Sequence, residues 1–299
     1  MAKIAPPSPQ TELPLEVSNA LSGLGLSSKG LGQIHKGHTS QVWVHTPEIG
    51  TRLVVKYTNP ARSSALFPNA PELEWAAMKA LSHRALSAQP LTFQWLPSGA
   101  ALILSQFVPT HGALTPLALA TTLREIHQTP VWPDLPVCRK SSMDLLLDGH
   151  AMLAKSRPPA WLTRLAPPNR DVPNPLPLRL VHRDLVPANV AILDTSKAIA
   201  LDWQCPAQGD PCEDIAHASS PGMQSLSKTD PIISDDALLE AYADAELARA
   251  YIRIAPYYRW RMACYCQMQL SQGNAIYAEA LEKECAALEQ ACERAEHAS

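Results

Sequence analysis

The residues best suited to chemistry lie in VHRDLVPANVAILDTSKAIALDWQ, positions 181–204. His182, Asp184 and Asn189 take the spacing HxDxxxxN, and Asp202 follows the next apolar stretch. A carboxylate and an amide oxygen are the hard donors that magnesium prefers, so Asn189 and Asp202 are candidate metal ligands, with phosphate oxygens and water completing an octahedron. Asp184, on the loop between, is placed to face a hydroxyl. An alcohol is far less acidic than a carboxylic acid, so Asp184 cannot strip its proton early. In a phosphoryl transfer its part would be to orient the hydroxyl and take the proton late, as metaphosphate-like character develops.

Short strands must hold these groups. Leu178–His182, Val190–Leu193 and Ala198–Asp202 read as strands, the last two joined by the turn residues Asp194-Thr195-Ser196-Lys197. Upstream, Thr39–His45 and Arg52–Tyr57 are β-rich, a helix is expected at about 70–86, and Leu91–Leu96 and Ala101–Val108 are short apolar strands. Residues 115–128 and Ser142–Lys155 have helical spacing; from Asp235 onward the chain reads as helices, the last running from about Gly273 to Glu296. The chain is divided accordingly into a flexible tail (1–14), a small α/β lobe (15–108) and a mainly helical lobe (109–299).

Of 299 residues 46% are hydrophobic, enough to bury a core, which excludes wholesale disorder. A formal charge of −3 provides no basic field for nucleic acid. No stretch approaches the roughly 18 unbroken apolar residues of a membrane span, so no membrane partner is expected. The first residues, MAKIAPPSPQTELP, lack an apolar signal core, and a cytoplasmic location is expected. The seven cysteines contain no CxxC pair, which points to free thiols rather than a zinc site.

The segment 178–216 resembles the aminoglycoside phosphotransferase and choline kinase family. The resemblance implies an α+β, bilobal protein-kinase-like fold and an ATP-dependent, magnesium-assisted transfer of phosphate to a small-molecule hydroxyl. It implies that Asp184 is the catalytic base, that Asn189 and Asp202 (in Asp202-Trp203-Gln204) hold the metal, and that His182 packs beneath the loop. Gly209-Asp210-Pro211 followed by Asp214-Ile215-Ala216 is similar to the family's GDPxxDLA stretch, so Asp214 is expected to brace the catalytic loop through its backbone. In the small lobe, Lys56 of LVVKY would reach the donor's phosphates, held by a carboxylate on the following helix; Glu74 is the choice and Glu72 a competitor. ALILSQFVP is similar to the family's hinge strand, with Gln106 C=O and Val108 N–H as adenine contacts. The stretch Gln33–Val42 would cover the phosphates, with Gly37 its single glycine and Thr39 or Ser40 adding hydroxyls.

Only eleven residues separate Asp202 from Asp214 and no Ala-Pro-Glu follows, so a peptide platform is missing and a small acceptor is favoured. Residues 230–299 carry 12 acidic and 6 basic side chains, an imbalance that would draw an amine-bearing acceptor, although Glu282, Glu289, Glu293 and Glu296 share one helix face that solvent alone explains. The run Tyr257-Tyr258-Arg259-Trp260-Arg261 to Tyr265 offers an aromatic cage or, equally, a helical core stripe. A catalytically silent nucleotide-binding scaffold is the alternative; the joint presence of Lys56, Asp184, Asn189 and Asp202 argues against it.

Overall fold

The computed structural model describes residues 13–36, 40–63, 66–174, 176–227 and 232–298. The chain forms two compact units, one of residues up to 112 with 191–193 and 199–206, the other of 113–190, 194–198 and 207–299.

The first unit contains α1 (Leu15–Gly23), β1 (Leu31–Lys36), β2 (Ser40–His45), β3 (Leu53–Thr58), α2 (Pro71–Leu81), β4 (Pro90–Trp95) and β5 (Ala101–Gln106). The strands make one antiparallel sheet in the order β1-β2-β3-β5-β4. Val17 and Leu21 of α1 pack with Trp43, Val55, Leu102 and Leu104 to form a buried cluster. Successive strand residues face opposite sides, so Lys56, next to Val55, emerges on the other face of β3. On α2 the buried residues Glu74, Ala77, Met78 and Leu81 recur at helical spacing, which puts a carboxylate on the apolar stripe. Several elements differ from the sequence expectation, α1 among them, which the sequence reading did not include. Gln33–Lys36, expected in a loop, belongs to β1, which pairs with β2 through a register shift between Gln33 and His35. The helix expected to reach residue 86 stops at Leu81, where Ser82–Arg84 tightens into a 3-10 turn closed by Ala85 at φ 55°.

The second unit contains α3 (Pro116–His127), β6 (Val137–Cys138), α4 (Ser142–Ala154), α5 (Ala160–Arg164), β7 (Arg179–Val181), β10 (Ala207–Gly209), α6 (Pro211–Ala218), α7 (Pro221–Leu226), α8 (Asp235–Tyr242), α9 (Ala245–Ser271) and α10 (Tyr277–His297), while the hairpin β8 (Val190–Ile192) and β9 (Ala198–Ala200), between β7 and β10 in the chain, is divided between the units. Residues 191–193 and 199–206 of the hairpin and its sequel group with the first unit. The reason lies in their bonds: His111 N donates to Ile192 O at 2.8 Å and Ala70 N to Gln204 O at 3.1 Å. Helix starts are set by short polar side chains followed by proline, as at Thr115-Pro116 and Asp210-Pro211, whose oxygens accept Ala118 N at 3.0 Å and Cys212 N at 2.9 Å. α4 crosses α9 at Gly149, where an added Cβ would collide with the indole of the fully buried Trp260. Among the described residues no helix is long and apolar enough to cross a membrane.

α6 is buried on every side yet carries Glu213, Asp214 and His217. Arg261 of α9 donates to Glu213 Oε1 at 2.9 Å and lies 3.2 Å from His217 Nε2, while Arg183 Nε reaches Glu213 Oε2 at 3.4 Å. Arg259 likewise binds Ala216 O at 3.0 Å, Ser219 Oγ at 2.8 Å and Asp235 Oδ1 at 2.5 Å. Burial, reinforced by the Arg261 guanidinium, pushes the His217 imidazole down from 6.5 to about 4. A depressed folded-state pKa stabilises the fold above the unfolded value, and that stabilisation is lost as pH falls from 6.5 toward 4, on the order of 3 kcal/mol in all. The thermal unfolding midpoint of the protein should therefore fall as pH is lowered across that window, before most carboxylates protonate. In His217→Gln, whose amide oxygen still accepts from Arg261, the slope of midpoint against pH should be shallower by the contribution of about one proton; equal slopes would refute the assignment.

Candidate active site

In the first unit Lys56 Nζ donates to both carboxylate oxygens of Glu74, at 2.6 and 2.7 Å, and to Asp202 Oδ1 at 2.5 Å. Lys56 therefore pairs with Glu74, while Glu72 accepts from Trp95 Nε1 at 3.3 Å. Burial disfavours the ammonium, but Asp202 and Glu74 outweigh it and raise the Lys56 pKa. Burial also raises that of Glu74, with Asp202 adding to the effect and Lys56 opposing it. The three formal charges sum to −1, and the open side is at Asp202, whose side chain is 28% exposed against 9% for Lys56 and 3% for Glu74. A carboxylate reachable from solvent is a donor that suits a hard cation.

Asp202 does not end a strand, as the sequence led us to expect. β9 stops at Ala200, and Asp202 adopts φ 62°, a left-handed conformation that aspartate tolerates better than most residues. Trp203, fully buried, anchors the bend by donating Nε1–H to Ala200 O at 3.2 Å. Gln204 O then accepts Ala70 N just ahead of α2, so one short segment carries Asp202 and is tied to the helix that carries Glu74.

In the second unit the loop 182–189 hangs from Asp214. This carboxylate accepts His182 N at 2.9 Å and Arg183 N at 2.6 Å, and His127 Nε2 lies 3.1 Å from it. Burial works against its charge, but His127 and His182 together with the backbone amide hold its pKa below the ordinary value. Arg183 is left-handed, φ 68°, and the twin backbone bonds with the Glu213 contact hold it there. His182 is fully buried, and its Nδ1 accepts Asp184 N at 3.3 Å. Asn189 Nδ2 donates to Asp184 O at 2.8 Å, which commits the amide nitrogen and leaves Oδ1 as the atom able to meet a cation. Asp184 itself is half-buried.

Other expected residues fare differently. Gly37 and Thr39 lie outside the described residues. Ser40 opens β2 and is buried, paired across the sheet with Thr58. β5 ends at Gln106, so Val108 lies past the strand; Gln106 N is spent on Gln89 O at 2.9 Å, whereas Val108 N bonds nothing among the described residues. The aromatic run is core rather than cage: Tyr257, Tyr258 and Trp260 are buried, Tyr257 bonding Pro168 O at 2.8 Å and Tyr258 bonding Asp210 at 3.2 Å. Tyr265 alone of the run's aromatics is half-buried; it packs edge-on against Tyr277 with centroids 5.9 Å apart, and both phenols feel the Asp184 carboxylate. Glu282, Glu289, Glu293 and Glu296 are exposed, while Glu284 is fully buried facing Arg259. Sequence reasoning missed Glu213 as a support of the loop. Glu213 carries a readable cue, two adjacent acids behind Asp-Pro at the start of the helix.

Residues 31–257 match the sequence model of the phosphotransferase enzyme family. No curated protein sequence matches the chain. Among solved structures, a choline/ethanolamine kinase family protein from Mesorhizobium loti is 17% identical, with 91% of this chain and 92% of that one covered and a TM-score of 0.62. The choline kinase of Streptococcus pneumoniae is 14% identical over 92% of this chain and 98% of its own, TM-score 0.59. A spectinomycin phosphotransferase, solved with ADP and spectinomycin, is 14% identical over 97% and 99%, TM-score 0.57. These likenesses establish an α+β, protein-kinase-like fold. With the match running over about three quarters of its length, the chain belongs to the phosphotransferase enzyme family.

Proposed function

We propose that this phosphotransferase moves the terminal phosphate of ATP to a hydroxyl of a small molecule. The observation that carries the reading is Lys56, a buried ammonium fixed by Glu74 and Asp202 and so pre-positioned to meet phosphate oxygens. Structural neighbours were solved with ADP, AMP or AMP-PNP, which supports an adenine nucleotide as donor. Asp202 and the Oδ1 of Asn189 would hold magnesium, which when bound neutralises charge on the donor's phosphates. Asp184 orients the acceptor hydroxyl and takes its proton as the phosphoryl group arrives. Gln106 O and Val108 N remain the proposed adenine contacts, and Ser40 a contact to phosphate through its backbone, since its side chain is buried. Tyr265 and Tyr277 line the acceptor's approach to Asp184, and two phenol faces beside a carboxylate suit an amine-bearing alcohol.

A screen of ATP consumption over aminoglycosides, choline, ethanolamine, thiamine, homoserine and sugars should reveal an acceptor. With it, Asp184→Asn should lose roughly 100-fold or more in kcat while calorimetric Mg-ATP affinity stays within about threefold; equal turnover would remove Asp184 from its role. Asp202→Ala should abolish the magnesium dependence of ATP binding, and an unchanged calorimetric titration would show the ligand assignment to be mistaken. Tyr265→Ala should raise KM for an amine-bearing acceptor about tenfold with the ATP affinity unaltered. A best acceptor that is acidic or neutral, or an unmoved KM, would count against the aromatic wall.

A further inference from the structure

Asp214 positions the catalytic loop, and its own position is set from behind. His127, in the last turn of α3, is 3% exposed. Its Nε2 lies 3.1 Å from Asp214 Oδ2 and its Nδ1 2.9 Å from the Tyr242 hydroxyl. A buried carboxylate held ionised can only accept, so Nε2 must carry the proton. In the neutral ring Nδ1 is then a lone pair that needs a donor. Tyr242 fills that need. Burial, with Asp244 and Asp214 adding to it, raises the phenol's pKa, so its hydroxyl keeps its proton and stays a donor.

Tyr242 is itself fixed in place. It is the last residue of α8, is 6% exposed, and Ala243 after it turns left-handed at φ 58°. Its carbonyl accepts Arg124 Nη1 at 3.1 Å. Arg124 and His127 are one turn apart on α3, so α3 grips Tyr242 at the backbone and at the hydroxyl together. The charged and titratable groups around the pair are Asp214 of α6, His182 at the head of the loop, Arg179 of β7, Arg124 of α3, and Asp244 beyond α8.

We propose that Tyr242 is a positioning residue for phosphoryl transfer: its hydroxyl donates to His127 Nδ1, fixes the Nε2–H tautomer, and so keeps Asp214 aimed at the amides of His182 and Arg183 that carry Asp184. The kinetic consequence rests on the phosphotransfer reading of Asp184; the tautomer does not.

The full-length protein labelled with ¹⁵N-histidine should show, by NMR, a His127 ring protonated at Nε2 and accepting at Nδ1, identified by loss of its signals in His127→Gln. Tyr242→Phe should lower kcat about 3- to 10-fold with KM for Mg-ATP within twofold, the scale of one neutral hydrogen bond. In the His127→Gln background the same change should have no further effect on kcat. A wild-type ring protonated at Nδ1 overturns the proposal. So does a Tyr242→Phe protein that melts earlier at full kcat, or a double variant whose losses simply add. If the wild type neither transfers phosphate nor hydrolyses ATP, the phosphotransfer reading fails by itself, and the ring signal alone decides for or against the Tyr242–His127 bond.

Discussion

A buried ammonium cannot stay charged without partners, and the first unit is arranged around that constraint. Lys56 sits on the face of β3 opposite the hydrophobic cluster, where an apolar helix would ordinarily cover it. Instead α2 places Glu74 on its apolar stripe, and the left-handed bend after β9 delivers Asp202. Breaking a buried pair from one side costs about 3–5 kcal/mol because the other charge is stranded. The arrangement is thus self-enforcing: α2 cannot rotate, nor residues 199–206 withdraw, without costing Lys56 one of its two carboxylate partners. The bond from Ala70 N to Gln204 O ties the same two pieces through the backbone, away from the charges. Of the two carboxylates that face the ammonium, Asp202 is the more exposed.

The second unit meets a similar constraint with a different device. Here the element to be held is a loop, whose backbone N–H groups have no helix or strand partner, and a buried carboxylate accepts two of them from one point. Asp214 can afford burial as an anion only because donors converge on it, His127 among them. Glu213, the neighbouring residue, reaches Arg183 of the loop and Arg261 of α9 at once. A helix buried on all sides and carrying two acids and a histidine would be untenable in isolation. Partnered as it is, α6 joins the loop to the long α9, so the stability of the helical core and the geometry of Asp184 draw on the same bonds.

How much of this could be read in the sequence follows from what kind of signal each part leaves. HxDxxxxN between apolar strands is legible because polar residues at fixed spacing interrupt runs that would otherwise be continuous. Lys56 and Glu74 are legible as residues, but the choice of Glu74 over Glu72 came from the family resemblance, and the burial of Glu74 with Ala77, Met78 and Leu81 shows only in the fold. β1 is not legible: LGQIHK has neither clean alternation nor β-branched density, and it exists because β2 offers an edge to pair with. Asp202's place beyond its strand was also hidden, since a left-handed φ on a non-glycine leaves no mark in the residue string. Tyr242 and His127, 115 positions apart, meet only through the packing of α8 on α3.

The acceptor side shows why composition misleads when burial is unknown. Net acidity in the last seventy residues looked like an electrostatic funnel, yet the acids that make up its regular stripe on α10 point to solvent, where salt screens them within about 10 Å. The one acid of that helix that is fully buried, Glu284, is occupied with Arg259, Ser220 and Gly222 N and is a structural group. The aromatic run divides in the same way, since helical periodicity sends Tyr257, Tyr258 and Trp260 inward, and two of their polar atoms satisfy Pro168 O and Asp210. Tyr265 alone keeps a face partly open, and Tyr277, at the start of the next helix, turns it edge-on. On the proposed reading an acceptor beside Asp184 would meet two neutral rings and one carboxylate, a surface that discriminates by shape and polarisability more than by summed charge.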